Sequence, residues 1–61
     1  MKDLINELLL EWSIEEVVNT INSNDINDIF EFYVDLFYEA DITLNNEMLS
    51  YLKNEIKERG I

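Results

Sequence analysis

Carboxylates recur at four-residue intervals near the start of the chain, in the stretch DLINELLLEWSIEE (residues 3–16). The members of this series are Asp3, Glu7, Glu11 and Glu15. Closely spaced carboxylates suit general acid–base catalysis, cation binding or attraction of a basic macromolecule. On a helix, this spacing sets like charges one turn apart, and each such pair is destabilising by a few tenths of a kcal/mol. No lysine or arginine lies among them to relieve the repulsion.

Catalysis and cation binding find little support in the remaining residues. The chain has no histidine, no cysteine and no glycine-rich loop, so the commonest bases, nucleophiles and phosphate cradles are missing. Asp25, Asn27 and Asp28 resemble the start of a calcium loop but lack its glycine and its later glutamate. The sequence therefore predicts a protein that is not an enzyme and has no cofactor and no metal site.

Charge is distributed unevenly along the chain. Fourteen acidic residues face four basic ones, for a net charge of −10, and three of the bases lie in the last nine residues. No base occurs between Asp3 and Leu52. Such a chain is predicted to repel nucleic acid and anionic membranes and to attract a protein partner with a basic surface. The simpler alternative is that the charge serves solubility alone.

The apolar residues recur with helical periodicity throughout. The spacing predicts helices over about 2–12, 14–22, 25–39 and 45–59, with no strand. In the first helix the apolar stripe is Leu4, Ile5, Leu8, Leu9 and Trp12; in the third it is Ile26, Ile29, Phe30, Tyr33, Leu36, Phe37 and Ala40. Short connections between amphipathic helices favour an all-α fold, a compact bundle of three to four short helices forming one domain over residues 1–61.

Capping signals divide these helices. Ser13 and Glu16 have the spacing of a capping box, which predicts a break after the first helix. The third helix is expected to be capped by Ser23 or Asn24, and the fourth by Thr43 or Asn45. Leu44 is expected to pack onto Leu49 as a hydrophobic staple, and Gly60 to mark the end of the last helix.

Acidic residues occupy a common face of the first and third helices, opposite the apolar stripe, with apolar side chains at its edges. The predicted partner-binding residues are Asp3, Glu7, Leu10 and Glu11 in the first helix, and Asp28, Glu31, Phe32, Asp35, Tyr38 and Glu39 in the third. Four residues of helix rise about 6 Å, which is comparable to the spacing of phosphates along a nucleic-acid strand. The ordinary alternative is the solvated face of an amphipathic helix, with the aromatic residues covered by neighbouring helices.

Two functions are consistent with this pattern. In size, charge and helical character the chain resembles phage- or plasmid-encoded DNA-mimic proteins that block restriction, CRISPR or DNA-repair enzymes, although no sequence motif carries the resemblance. It implies an inhibitor of a nucleic-acid-binding protein. The alternative is a helical adaptor, regulatory subunit or homodimer that docks through Leu10, Phe32, Tyr38 and Tyr51, with the acids serving solubility.

The sequence also bears on location. No apolar run approaches the roughly 18 residues of a membrane span, and the first residues lack the pattern of a signal peptide. Asparagine, isoleucine and leucine each occur eight times, which is typical of an AT-rich genome. We therefore expect a cytoplasmic protein of a bacterial host, carried by a phage or plasmid.

Overall fold

Four α-helices make up the regular structure of residues 2–60. A computed structural model describes residues 2–60, and its helices are α1 (Lys2–Glu11), α2 (Ile14–Ile21), α3 (Ile26–Glu39) and α4 (Asn46–Arg59). The part of the chain described contains no strand. The all-α prediction is confirmed, and each end of each helix lies within one residue of its predicted position.

The break between α1 and α2 occurs at the predicted capping box. The Ser13 hydroxyl accepts a hydrogen bond from the Glu16 backbone N–H at 3.2 Å and lies 3.3 Å from the Glu16 carboxylate, to which it donates. Glu15 consequently belongs to α2, so the carboxylate series of α1 consists of Asp3, Glu7 and Glu11 alone.

The cap of α3 differs from the prediction. Asp25, rather than Ser23 or Asn24, is the N-cap, and its carboxylate accepts from the Asn27 N–H at 2.8 Å. Ser23 instead braces the connector, because its hydroxyl accepts from the Asp25 N–H at 3.2 Å and donates to Asp28 at 2.7 Å. Aspartate is as good an N-cap as asparagine or serine. The composition of the connector therefore did not distinguish between neighbouring candidates.

The ends of α2 and α3 use residues in the left-handed conformation. Asn22 has φ 55° and Asp41 has φ 60°. In both cases the next residue donates its N–H back to a carbonyl five positions earlier, Ser23 to Val18 and Ile42 to Phe37. These are the bonds of the Schellman motif, which satisfies carbonyls left open at a helix end.

α4 begins and ends as the sequence predicts. Asn45 is its N-cap, with the side-chain oxygen accepting from the Met48 N–H at 2.9 Å. Leu44 and Leu49, the two residues of the predicted staple, line the same small cavity. Gly60 follows the last turn and donates its N–H to the Ile56 carbonyl at 2.9 Å.

All four helices contribute to one hydrophobic core. Its buried members are Ile5, Leu9, Val17, Ile29, Tyr33, Phe37, Met48, Leu52 and Ile56, and no polar or charged residue is buried among the residues described. The most extensive packing joins α3 to α4, α2 to α3 and α1 to α4. The radius of gyration, 10.5 Å, is that of a compact chain of this length.

Tyr33 connects the buried face of α3 to the end of α1. Its ring is fully buried and its hydroxyl donates to the Trp12 carbonyl at 2.6 Å. That carbonyl lies just after the last turn of α1, where intrahelical partners run out. Burial raises the pKa of the Tyr33 phenol to about 12, against a lowering by the charge of Arg59 and a further raising by Glu16.

Two residues of the predicted apolar stripes are not covered. Leu4 is 43% exposed and Ala40 is exposed. α1 packs mainly against α4 rather than α3, so the Leu4 edge of α1 and the C-terminal end of α3 face each other without filling the space between them. Periodicity gives the direction of a side chain but not the position of the neighbouring helix.

Candidate protein-binding surface

The basic side chains of residues 2–60 lie on or beside α4. Lys53 lies 5.7 Å from the ring centre of Phe30, and Lys2 lies 5.3 Å from that of Tyr51. Arg59 forms the one ion pair of the described residues, with Glu55 at 3.2 Å. The basic side chains of these residues therefore lie on the α4 side of the molecule, and none of them lines the acidic face of α3.

The acidic face of α3 is exposed along its whole length. Asp28, Glu31, Asp35 and Glu39 are all exposed. The first three line one shallow groove between α2 and α3, with a volume of about 260 Å³. Phe32 and Ile21, both half-buried, are its apolar lining, and Ser23 completes it. The groove thus combines three carboxylates with an aromatic ring, and no lysine or arginine lines it.

The carboxylate of Asp28 is held in place at one end of this groove. Ser23 donates a hydrogen bond to it at 2.7 Å, and Ser23 is itself fixed by its bond from the Asp25 N–H. Asp28 also lies in the first turn of α3, where negative charge interacts favourably with the helix dipole. Of the acidic residues of α3, Asp28 is the one whose side chain the fold orients.

Phe32 both supports the fold and lines the groove. Its ring packs edge-to-face on Trp12, with centroids 5.2 Å apart, and on Tyr33 at 6.3 Å. The predictions considered it either as covered by a neighbouring helix or as a free anchor. Phe32 combines features of both predictions. Its ring is half-buried and packs against the core, and it also lines the groove.

The acidic stripe of α1 lies beside a different groove. Asp3, Glu7 and Glu11 are exposed, and the last two line a groove of about 190 Å³ between α1 and the C-terminal half of α3. Its apolar lining consists of Leu4, Leu8, Leu36, Phe37, Ala40 and Ile42. Asp3 lines neither this groove nor the one over Phe32.

The apolar side chains that are predicted to bind a partner differ in their solvent exposure. Leu10 is 77% exposed and Tyr38 is 74% exposed. Tyr38 borders a small cavity formed with Val34, away from the three carboxylates over Phe32. Tyr51 is half-buried and its hydroxyl donates to the Asn6 side chain at 3.1 Å, so intramolecular contacts already occupy it.

The structure therefore divides the predicted residues into two groups and leaves some outside both. Asp28, Glu31, Phe32 and Asp35 share the α2–α3 groove, whereas Glu7 and Glu11 share the α1–α3 groove. Asp3, Leu10 and Glu39 line neither groove, and Tyr38 lines only its own small cavity. Sequence reasoning missed Ile21 and Ser23, since an apolar residue at a helix end and a serine in a connector have no pattern that marks a groove.

The carboxylates are arranged along a surface instead of converging on a point. Within residues 2–60, no group of three or more acidic, histidine or cysteine side chains is placed to hold a metal ion. None of the four helices has the length and apolar character needed to cross a bilayer. Comparison with protein-family models, with curated proteins and with solved structures found no match.

Proposed function

We propose that this protein is a small non-enzymatic inhibitor that binds the basic nucleic-acid-binding surface of a target protein, in the manner of phage- or plasmid-encoded DNA mimics directed against bacterial defence systems such as CRISPR or restriction enzymes. The observation that carries the proposal is the α2–α3 groove. Three exposed carboxylates line it together with an aromatic ring, and the lining has no basic residue.

The arrangement of charge on α3 supports a binding role, because it disfavours the isolated helix. Glu31 and Asp35 are one turn apart, as are Asp35 and Glu39, and each like-charge pair costs a few tenths of a kcal/mol. Glu39 also lies at the C-terminal end, where the helix dipole disfavours negative charge and no basic residue compensates it. A surface that served solubility alone would ordinarily interleave both signs.

The geometry suits arginine and lysine side chains of a nucleic-acid-binding surface. Asp28 and Asp35 are two turns of helix apart, so they are separated by about 10 Å along the axis. A guanidinium group between them would meet carboxylates and the half-buried ring of Phe32, which offers an additional cation–π contact. Because these contacts neutralise charge, binding is expected to weaken steeply as salt is added.

The proposal is tested by affinity capture with matched variants. The chain is immobilised and exposed at low salt to a bacterial lysate treated with nuclease. We expect it to retain nucleic-acid-binding proteins and to release them when short duplex DNA or high salt is added. The double variant Asp28→Lys/Asp35→Lys should retain at least about a hundredfold less, since two close charge pairs are worth about 3 kcal/mol when broken at a partly desolvated interface.

The control variant is Glu47→Lys/Glu58→Lys, which makes the same change in net charge on exposed residues of α4. It should retain the same proteins as the unmodified chain. Equal losses in the two variants would mean that only the overall charge matters. Proteins that are retained but not displaced by duplex DNA would exclude a nucleic-acid-binding site as the target.

A second function is favoured by the exposure of Leu10 and Tyr38, which are the two most exposed large apolar side chains within residues 2–60. In this case the chain is an adaptor, regulatory subunit or homodimer that docks through them. The variant Leu10→Ala/Tyr38→Ala should then abolish association while Asp28→Lys/Asp35→Lys leaves it unchanged. Sedimentation at micromolar concentration distinguishes the homodimer, since a single monomeric species contradicts it.

A further inference from the structure

The edge between α1 and the C-terminal half of α3 is open along part of its length. α1 packs chiefly on α4, and α2 packs on α3. Trp12 and Phe32 join α1 to α3 at one end of this edge, with ring centres 5.2 Å apart. Beyond them the two helices are separated by the groove of about 190 Å³ that Leu4, Leu8 and Leu36 help to line.

The lining of this groove is apolar along its length and acidic on the α1 side. Leu4, which helps to line the groove, is 43% exposed. Glu7 and Glu11 lie one turn apart on the side formed by α1, and no basic residue is part of the lining. A partner that covers the groove must therefore offer apolar side chains along its centre and positive charge along one edge.

We infer that the α1–α3 groove binds a basic amphipathic helix of the partner protein. Such a helix would lie between α1 and α3 as an additional member of the bundle, with aliphatic residues at i and i+4 against Leu4, Leu8 and Leu36. Lysine or arginine residues one turn apart on its flank would face Glu7 and Glu11, which have the same spacing. The inference rests on the proposed function, because it takes the partner to be a basic protein.

A designed peptide tests the groove directly. The probe is a helical peptide of about 14 residues with leucines at i, i+4 and lysines on the adjoining positions. Two comparison peptides have the same length, one with glutamate in place of lysine and one with alanine in place of leucine. We expect the basic leucine peptide to bind more tightly than either of the others, as measured by fluorescence anisotropy.

Matched variants of the protein show where the peptide binds. Leu4→Ala is expected to weaken binding about tenfold, because three buried carbons are lost from the contact. Leu10→Ala, the same change at an exposed residue of α1 outside the groove, should have no effect. Glu7→Gln/Glu11→Gln should weaken binding about fivefold, whereas Asp3→Asn/Glu15→Gln, an equal change of charge outside the groove, should not. Circular dichroism checks that each variant keeps its helices.

Three results would overturn the inference. Equal effects of Leu4→Ala and Leu10→Ala would show that the groove does not bind the leucines. Equal affinity for the alanine peptide would show that charge alone is recognised, and the acidic face of α3 would then retain its proposed role without the groove. A dimer that sedimentation detects and that Leu4→Ala dissociates would make a second copy the occupant. Failure of the proposed function is a separate result, because it appears as unchanged capture by Asp28→Lys/Asp35→Lys.

Discussion

The helices α3 and α4 have 14 residues each and pack against each other, yet they differ in how their charges are placed. In α4 a glutamate lies in the first turn, two bases lie in the last, and Glu55 pairs with Arg59. In α3 four acids share one face and no base occurs. Arrangements like that of α4 stabilise a helix, whereas that of α3 does so only at Asp28.

The difference shows which part of α3 serves the fold. Its buried face contributes Ile29, Tyr33 and Phe37 to the core, and the Tyr33 hydroxyl satisfies the end of α1. Nothing in residues 2–60 makes use of its exposed carboxylates except the bond from Ser23 to Asp28. Changes to the buried face of α3 should therefore lower the free energy of unfolding. Changes that reduce the negative charge of its exposed face should raise it.

The largest effect concerns the buried face at alkaline pH. Since the pKa of Tyr33 is raised to about 12 in the folded protein, the folded state holds its proton more tightly than the unfolded state does. The stability due to this phenol is fully present below about pH 10 and is lost as pH rises from about 10 to 12. The loss reaches about 3 kcal/mol, and denaturant unfolding at a series of pH values measures it.

Tyr33→Phe isolates this contribution. At neutral pH it should lower the free energy of unfolding by about 1 kcal/mol, because the Trp12 carbonyl loses its donor. Above pH 10 it should lose less stability than the unmodified chain does. Tyr38→Phe, which removes an exposed phenol, serves as the control and should keep the full alkaline loss. Parallel pH profiles for all three chains would contradict the assignment.

The second effect concerns the exposed face. Raising the ionic strength from about 0.01 to about 0.15 M shortens the Debye length from about 30 to about 8 Å and weakens repulsion among the carboxylates. We expect the melting temperature to rise by about 8 °C, equivalent to about 1 kcal/mol. Asp28→Lys/Asp35→Lys should reduce this rise more than Glu47→Lys/Glu58→Lys does. An equal reduction would mean that the repulsion is not concentrated on α3.

The sequence predicted the helices and the acidic face of α3 well because both depend on local spacing. A periodicity of 3.6 residues determines which side chains share a face, and that is why Asp28, Glu31 and Asp35 were grouped correctly. The grooves depend instead on how far apart the helices lie. The phase of Leu4 in the helical pattern predicts a place in the core, but its exposure follows from the position of α1 against α4, which no local pattern encodes.

Residues with two roles were equally hard to predict. Phe32 flanks the acidic face of α3, and its spacing is compatible with burial or with exposure. Its half-buried position depends on Trp12, which comes from another helix. Ser23 was recognised as a capping residue, but the structure uses its hydroxyl for Asp25 and Asp28 because Asp25 caps α3 itself. Hydrogen-bond partners in a connector are determined by its backbone path.

The third effect concerns the C-terminal end of α3, where Glu39 lies at the negative end of the helix dipole. Glu39→Lys removes an acid from the negative end of the helix dipole and places a base one turn after Asp35. We expect the free energy of unfolding to rise by about 0.7 kcal/mol. Arg59→Gln at the corresponding end of α4 should lower it by a similar amount, because the pair with Glu55 is lost. Unfolding by urea measures both changes. If Glu39→Lys did not raise the free energy of unfolding, the charges of α3 would not be placed less favourably than those of α4.

The smallest effect separates the backbone from the charge where α3 ends. Asp41 has φ 60°, a conformation that glycine adopts freely and alanine does not, whereas Gly60 at the end of α4 has φ −87°. Asp41→Gly should stabilise the protein by about 0.5 kcal/mol. Asp41→Asn removes the same charge and keeps a residue that tolerates the left-handed region, so the difference between these two variants reports on the backbone alone. Asp41→Ala should be the least stable of the three by about 1 kcal/mol, and urea unfolding that placed it level with Asp41→Gly would show that the end of α3 does not adopt the left-handed conformation.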